Sequence, residues 1–189
     1  TVRNYPSETV WVRPPAGPAY AMLFENGERY LAFDGIHLDT TNATLANRMG
    51  GVWVNSGAVE NAHHIRYQNA GILLNRIAGD LATSPVGFVF IGPHTTTGGN
   101  EVLACTIHGS GGSNSSYAAY CHTGGNRVED CLIYDVSHTG IQVFNGAGRP
   151  SGNILRRNLI REIIQSFDTQ RIGIQVVGDN TLIVNNLIY

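Results

Sequence analysis

The stretch Asn126–Tyr134, NRVEDCLIY, recurs along this chain of 189 residues with small changes. The other copies are NEVLACTIH (Asn100–His108), NILRRNLIR (Asn153–Arg161) and TLIVNNLIY (Thr181–Tyr189). Aligned on the central Cys or Asn, the copies follow one another at intervals of 26 to 28 residues, with anchors at Cys105, Cys131, Asn158 and Asn186. A self-similar period of this length predicts a solenoid whose repeats stack on one another.

The repeat has a second half that contains a short apolar motif. GIQV occurs at Gly140–Val143 and Gly173–Val176, with looser copies GVWV at Gly51–Val54, GFVF at Gly87–Phe90 and AAYC at Ala118–Cys121. Each unit therefore reads as an alternating strand, a Gly/Asn corner, a second alternating strand and a longer loop. The segment Tyr30–Asp39 reads as one further strand. No window carries the apolar stripe of a long helix, so the sequence predicts parallel, stacked strands without large helices.

Composition narrows the class of protein. The length suits one domain, 1–189, and because the chain starts inside a strand and stops inside a repeat we expect that domain to be incomplete at both ends. A formal charge of −2 gives no electrostatic reason to expect a nucleic-acid partner. No apolar stretch is long enough to span a membrane. All 12 basic residues are Arg, so a mechanism that needs Lys has no residue to use here.

These repeats resemble the right-handed parallel β-helix proteins of the pectate-lyase-like superfamily. The opening RNYPSETVWV, Arg3–Val12, looks like the I-x-x-Y-P-G-E-x-V segment that begins secreted β-helix carbohydrate enzymes, with Ser7 in place of Gly. YLAFDGIHLD, Tyr30–Asp39, looks like the coil that follows it. The resemblance implies an all-β, right-handed parallel β-helix, a single-stranded solenoid. It also implies a secreted, carbohydrate-active protein, found outside the cell, at its surface or in the periplasm.

The candidate site residues lie at outward positions of the repeat. Side chains alternate between the two faces of a strand, so residues at one position of successive units form a column across the stack. One column reads His108, Tyr134, Arg161 and Tyr189, and a second contains Glu129 and Arg156. The strand after the corner gives two more columns, one with Trp53, Val89, Tyr120, Gln142 and Gln175, the other with Asn55, Ile91, His122, Phe144 and Val177. Aromatic rings pack on sugar rings, and Arg pairs with uronate carboxylates, so an acidic polysaccharide is the expected partner.

Two reactions compete as interpretations of this surface. A lyase must neutralise a uronate carboxylate and remove a proton at C5, for which Arg161 or Arg156 is the neutraliser and Tyr134 or one of three histidines, His108, His122 and His138, the acid or base. A hydrolase needs two carboxylates, and Asp135 and Glu162 hold equivalent places in adjacent units. We favour the lyase-like chemistry, with a glycoside hydrolase or a non-catalytic glycan-binding or structural solenoid as the alternatives.

The pattern specifies no cofactor, no metal ligand set and no oligomeric state. Glu129, Asp130 and Asp135 are the carboxylates that Ca²⁺ could use, but such a site needs six to eight oxygen ligands.

The inward column is expected to be a ladder. Asn158 and Asn186 should be buried, each amide bonding to the adjacent turn. Cys105 and Cys131 hold equivalent inward positions, where stacking as small apolar side chains is expected and a disulfide is sterically possible.

Overall fold

The computed structural model describes residues 1–14, 20–42, 50–55, 62–74, 86–90, 98–109, 116–145, 148–164 and 171–189. Every regular element in these segments is a strand, and every strand pairing is parallel. Each turn of the chain adds one strand to each of three sheets, so the molecule is an all-β parallel solenoid, as the repeat predicts.

The first sheet has seven strands, which follow one another turn by turn. They are β1 (Val2–Arg3), β4 (Ala32–Asp34), β7 (Arg66–Gln68), β10 (Glu101–Leu103), β13 (Arg127–Glu129), β15 (Ile154–Arg156) and β18 (Leu182–Val184). The second sheet follows it in every turn, with β2 (Val10–Val12), β5 (Ile36–Asp39), β8 (Gly71–Leu73), β11 (Thr106–His108), β14 (Leu132–Phe144), β16 (Leu159–Ile164) and β19 (Leu187–Ile188).

The third sheet completes each turn. Its strands are β3 (Tyr20–Phe24), β6 (Gly50–Val54), β9 (Val86–Phe90), β12 (Tyr117–Cys121), the second part of β14, and β17 (Arg171–Val177). The strand β14 belongs to two sheets, because it pairs with β11 and β16 through its first part and with β12 and β17 through its second.

The expected unit of two strands was wrong, since each unit has three. The stretch Asn126–Tyr134 contains β13 and the start of β14, and the chain turns between them at Asp130, whose φ is 57°. Tyr30–Asp39 divides in the same way at Gly35, whose φ is 71°. The buried apolar residues across this corner, Val128, Cys131 and Ile133, are spaced three and then two positions apart, so the one-residue corner shifts the alternation by one position.

One left-handed residue turns the chain at this corner in each turn after the first. Beyond Gly35 the residues are Asn69, Ala104, Asp130, Arg157 and Asn185, all with φ between 50° and 57°. Ser7, which stands where the resembling enzyme segment has Gly, is also left-handed, with φ 68°.

The core is a stack of columns inside the three sheets. Val102, Val128 and Leu155 pair across the first sheet and Ile107, Ile133 and Ile160 across the second, and all six are fully buried. Cys105 and Cys131 are free thiols in this core. The expected stack of small side chains is therefore confirmed.

Two ladders of Asn side chains accompany the core. The backbone N–H of Cys131 donates to Asn158 Oδ1 at 3.0 Å, and Asn158 Nδ2 donates to Asn186 Oδ1 at 2.9 Å and to the carbonyl of Val128 at 2.8 Å. This confirms the predicted hydrogen-bonded ladder, with Asn158 buried as expected, but Asn186 is only partly buried because it lies in the last turn described. A second ladder, which we did not predict, joins Asn100, Asn126 and Asn153, which open three copies of the repeat and are fully buried.

Candidate functional site

The register of the strands confirms the predicted columns, although several of their members are buried, namely Glu129, Trp53, Val89 and Gln142. His108 pairs with Tyr134 and Tyr134 with Arg161 across the second sheet, while Glu129 pairs with Arg156 across the first. Across the third sheet the register runs through Trp53, Val89, Tyr120, Gln142 and Gln175. The column through Ile91 lies partly outside the described residues, but its pair Phe144–Val177 is present. The structure therefore distributes the candidate residues over three faces instead of collecting them in one site.

On the second sheet, three candidate side chains form one stack. The rings of His108 and Tyr134 are parallel within 4°, with centroids 4.8 Å apart, and the Cζ of Arg161 lies 5.2 Å from the centre of the Tyr134 ring. We call His108, Tyr134 and Arg161 the second-sheet row. Because His108 and Arg161 occupy the space over Tyr134, the row offers its polar groups to a ligand, and the expected packing of a sugar ring on Tyr134 does not fit this arrangement.

Two carboxylates border the second-sheet row. Asp135 and Glu162 follow the paired residues Tyr134 and Arg161, and both backbones are left-handed, with φ of 53° and 52°. Glu162 accepts a hydrogen bond of 3.3 Å from the guanidinium of Arg161. Their equivalent places in neighbouring turns match the expectation, but a carboxylate paired with Arg161 is less suited to act as a nucleophile in hydrolysis.

His108 is electrostatically distinct within the row. Burial lowers the pKa of its imidazole, and the negative charge of Asp135 opposes that shift without cancelling it. The imidazole is consequently neutral at neutral pH, which is the form that can accept a proton.

The first sheet carries an ionic network that the sequence did not suggest. Glu101 accepts hydrogen bonds from Arg66 and Arg127, the latter at 2.8 Å. Glu129, only 2 % exposed, binds Arg127 at 2.8 Å and Arg156 at 2.6 Å. The network extends to the ion pair of Arg157 with Asp130, at 2.6 Å.

The network makes Glu129 and Arg156 each other's partners. Burial would raise the pKa of Glu129, but hydrogen bonds from Arg127 and Arg156 hold it below its ordinary value. A sugar would have to break these bonds to use either group, so the pair is better described as part of the scaffold. The sequence signal for this network was the occurrence of Arg and Glu at first-sheet positions of adjacent repeats. Which Arg pairs with which Glu depends on side-chain rotamers, which the sequence does not specify.

The third sheet places its candidates in an aromatic cluster. Tyr117 and Tyr120 stack with centroids 4.7 Å apart, and the His122 ring meets Tyr120 edge-on at 4.0 Å. Trp53 and Val89, which belong to the same column, are buried, and Gln142 donates a hydrogen bond to Gln175. His138 is also buried here, with its Nδ1 2.7 Å from the Thr139 hydroxyl. His122 and His138 thus lie on a different face from Arg161.

The described residues also contain an open cavity that the sequence did not predict. It has a volume of about 300 Å³ and is lined by Tyr30, Leu31, Ala32, His64, Arg66, Gly99 and Glu101. It lies where the chain enters the first sheet.

No group of three or more His, Cys, Asp or Glu side chains within the described residues is arranged to hold a metal ion. The same residues form no helix that is long and apolar enough to span a membrane.

Comparison with known proteins adds no family to this description. No protein-family model matches the chain, and neither a curated protein nor a solved structure matches it.

Proposed function

We propose that this chain belongs to a carbohydrate-active protein that binds an acidic polysaccharide through the second-sheet row. The observation that carries the proposal is the alignment of His108, Tyr134 and Arg161 in three successive turns. Turns about 4.8 Å apart give a line about 10 Å long, which suits about two sugar residues. We also propose that such a protein works outside the cell or at its surface, with the periplasm as the alternative.

Arg161 is the residue in this row that can recognise a carboxylate. Its bond of 3.3 Å to Glu162 joins two partly exposed groups, with 35 % and 58 % of their side chains accessible. Exposed ion pairs contribute little stability, so a uronate carboxylate can displace Glu162 and form a bidentate pair with the guanidinium. The phenol of Tyr134 and the imidazole of His108 would then bind hydroxyl groups.

Lyase-like β-elimination is the second candidate, and the lowered pKa of His108 favours it. In this reaction His108 takes the C5 proton, the C4–C5 double bond forms, and the C4–O bond breaks. The phenol of Tyr134 can protonate the departing oxygen. Two turns, about 10 Å, separate His108 from Arg161, so Arg161 would hold the carboxylate of a neighbouring sugar and would not neutralise that of the sugar that reacts, which counts against the lyase candidate.

Titration of the parent chain and of Arg161→Ala with polygalacturonate, alginate and a neutral glucan tests the binding proposal. We expect the parent to bind an acidic polymer, Arg161→Ala to lose at least tenfold in affinity, and both to ignore the glucan. Arg149→Ala is the matched control, because Arg149 pairs with Asp179 away from the row. Equal affinity of the parent and Arg161→Ala for every acidic polymer, or a preference for the glucan, would overturn the proposal.

Ultraviolet absorbance of the unsaturated product tests the lyase candidate separately. His108→Ala should reduce turnover with less effect on binding. If the parent binds an acidic polymer but releases no unsaturated product from any of them, the binding function stands and the lyase candidate fails.

A further inference from the structure

Two adjacent histidines, His63 and His64, lie at the open cavity, which His64 lines. Their imidazole rings approach each other through the Nδ1 atom of each ring. Their Nδ1 atoms are 2.6 Å apart, so one of them must carry a hydrogen that the other accepts. The two rings meet nearly at right angles, at 78°, with centroids 4.8 Å apart. Two imidazole nitrogens held this close are a ready chelate for a metal ion that prefers nitrogen ligands.

His64 lies at a second corner of the turn, just before the first-sheet strand, and its backbone there is strained. The corresponding residues of successive turns are Tyr30, His64, Gly99, Gly125, Gly152 and Asn180, and all have a positive φ. His64 has φ 54° and Tyr30 has φ 57°, a conformation that costs a side-chain-bearing residue about 1–2 kcal/mol. Three later turns have glycine here and avoid this cost, whereas Tyr30 and His64 bear it, as do the left-handed residues at the other corner of the turn.

Two neighbouring residues contact the imidazole of His64, which is exposed to solvent. A Cβ added to Gly99 would lie 2.8 Å from His64 Nε2, so the ring rests against a residue that has no side chain. The ring of Tyr30 packs against both histidines, with centroids 5.0 Å from His64 and 5.6 Å from His63. The pair is therefore open to solvent and contacts Tyr30 and Gly99.

We propose that His63 and His64 bind a divalent transition-metal ion of the Cu²⁺, Ni²⁺ or Zn²⁺ class through their Nδ1 atoms. Bonds of about 2.0–2.1 Å to such an ion require the nitrogens to be about 2.9–3.4 Å apart and both lone pairs to point at the ion, so the two rings must turn as well as separate. The ion replaces the proton between the two rings, and that proton goes to solvent. Water supplied through the cavity completes the coordination, so the two imidazoles are the protein's ligands.

Titration of the whole chain with Cu²⁺, Ni²⁺ and Zn²⁺, and with Mg²⁺ and Ca²⁺ as hard-ion controls, tests the site. We expect at least one transition metal to bind with a stoichiometry of one, and the hard ions not to bind. His63→Gln and His64→Gln should each lose at least tenfold in affinity, whereas His37→Gln, which alters the second sheet, should not. The affinity of the parent should rise with pH, because binding releases a proton.

Two further measurements keep the test valid if a glutamine variant folds poorly. His64→Gly keeps the left-handed backbone without strain, so it should melt above the metal-free parent and fail to gain stability from the metal. Electron paramagnetic resonance of the parent with Cu²⁺ should show coupling to two imidazole nitrogens. Unchanged metal affinity in His64→Gly, or a Cu²⁺ spectrum without that coupling, would overturn the proposal.

Discussion

Asn158 shows how one side chain connects three turns. Its Oδ1 accepts from the N–H of Cys131 in the preceding turn, and its Nδ2 donates to the carbonyl of Val128 and to Asn186. The residue is 1 % exposed, so none of these groups can exchange its partner for bulk water. The amide thereby satisfies backbone groups at the corner that the strand pairing leaves open.

Asn158→Leu should destabilise the chain by several kcal/mol, because each buried polar group left without a partner costs about 1–3 kcal/mol. Chemical denaturation measures the loss, and Arg149→Ala, which removes an exposed ion pair, should change stability by less than about 1 kcal/mol. An unchanged midpoint in Asn158→Leu would contradict the structural role of the ladder.

His108 should make stability depend on pH. Its folded pKa is lowered by burial, so the unfolded chain binds a proton more readily than the folded chain. The stability that His108 contributes by being neutral in the folded state is thus fully present above the ordinary His pKa of about 6.5. It is lost as pH falls through the lower pKa of the folded state. His108→Phe keeps a ring against Tyr134 but cannot titrate, so its denaturation midpoint should fall less between pH 7 and pH 5. Parallel pH profiles for parent and variant would be inconsistent with this assignment.

Each of five successive strands of the third sheet has a glycine or alanine at one position that has no register partner, although the residues on both sides of it are paired. Gly51, Gly87, Ala118, Gly140 and Gly173 stand between paired residues in successive turns. A Cβ on Gly87 would lie 2.4 Å from the carbonyl oxygen of Ala118, and one on Gly140 would lie 2.6 Å from that of Gly173. In the first GIQV motif the glycine is thus explained by a close approach between backbones, and in the second by the Ile188 side chain, whose Cγ2 would lie 2.5 Å from a Cβ on Gly173.

Gly140→Ala should lower stability by about 1–3 kcal/mol, because the new methyl group overlaps the carbonyl of Gly173 and approaches Ile160 Cγ2 at 2.9 Å. Gly152→Ala is the comparison variant, since its methyl group meets nothing within 4 Å and is penalised only by a φ of 73°. Its loss should be about 1 kcal/mol. Thermal melting of both variants measures the difference, and equal losses would show that the close approach is unimportant.

The three sheets also give the molecule three chemically different faces. Ion pairs cover the first, the second-sheet row marks the second, and aromatic rings cluster on the third. The parallel register aligns equivalent residues of successive turns on each face. A ligand that extends over several sugars would therefore meet a repeating surface along the axis of the solenoid.

The last turn of the chain exposes residues that are core elsewhere. Ile183 and Ile188 are 49 % and 48 % exposed, although their partners in the preceding turn, Leu155 and Ile160, are fully buried. Strands β18 and β19 each have a described partner on one side alone. An apolar face beside an open strand edge is a template for association with another chain.

Sedimentation velocity of the isolated 189-residue chain should therefore show association that increases with concentration. The double variant Ile183→Lys/Ile188→Lys should sediment as a monomer, because charged residues at the edge oppose pairing. A parent chain that stays monomeric at high concentration would contradict this prediction.

The sequence alone determined the architecture of this protein, because its period of 26 to 28 residues and the alternation within NRVEDCLIY reflect turn length and strand geometry. The same alignment placed Ile133 inward and Tyr134 outward and predicted that His108, Tyr134 and Arg161 would share a column. These two predictions need only the repeat length and the two-residue period of a strand.

Only the tertiary structure decided which neighbours in these columns are partners. Glu129 pairs with Arg156 in an ionic network, and Arg161 lies over the ring of Tyr134. Side-chain rotamers select these contacts from several neighbours at similar spacing. The spacing of Val128, Cys131 and Ile133 indicated a corner at Asp130, but only the structure shows that the strands on its two sides belong to different sheets. The meeting of His63 and His64 with Tyr30 depends on the left-handed conformation at corner residues of adjacent turns, which the sequence pattern does not specify.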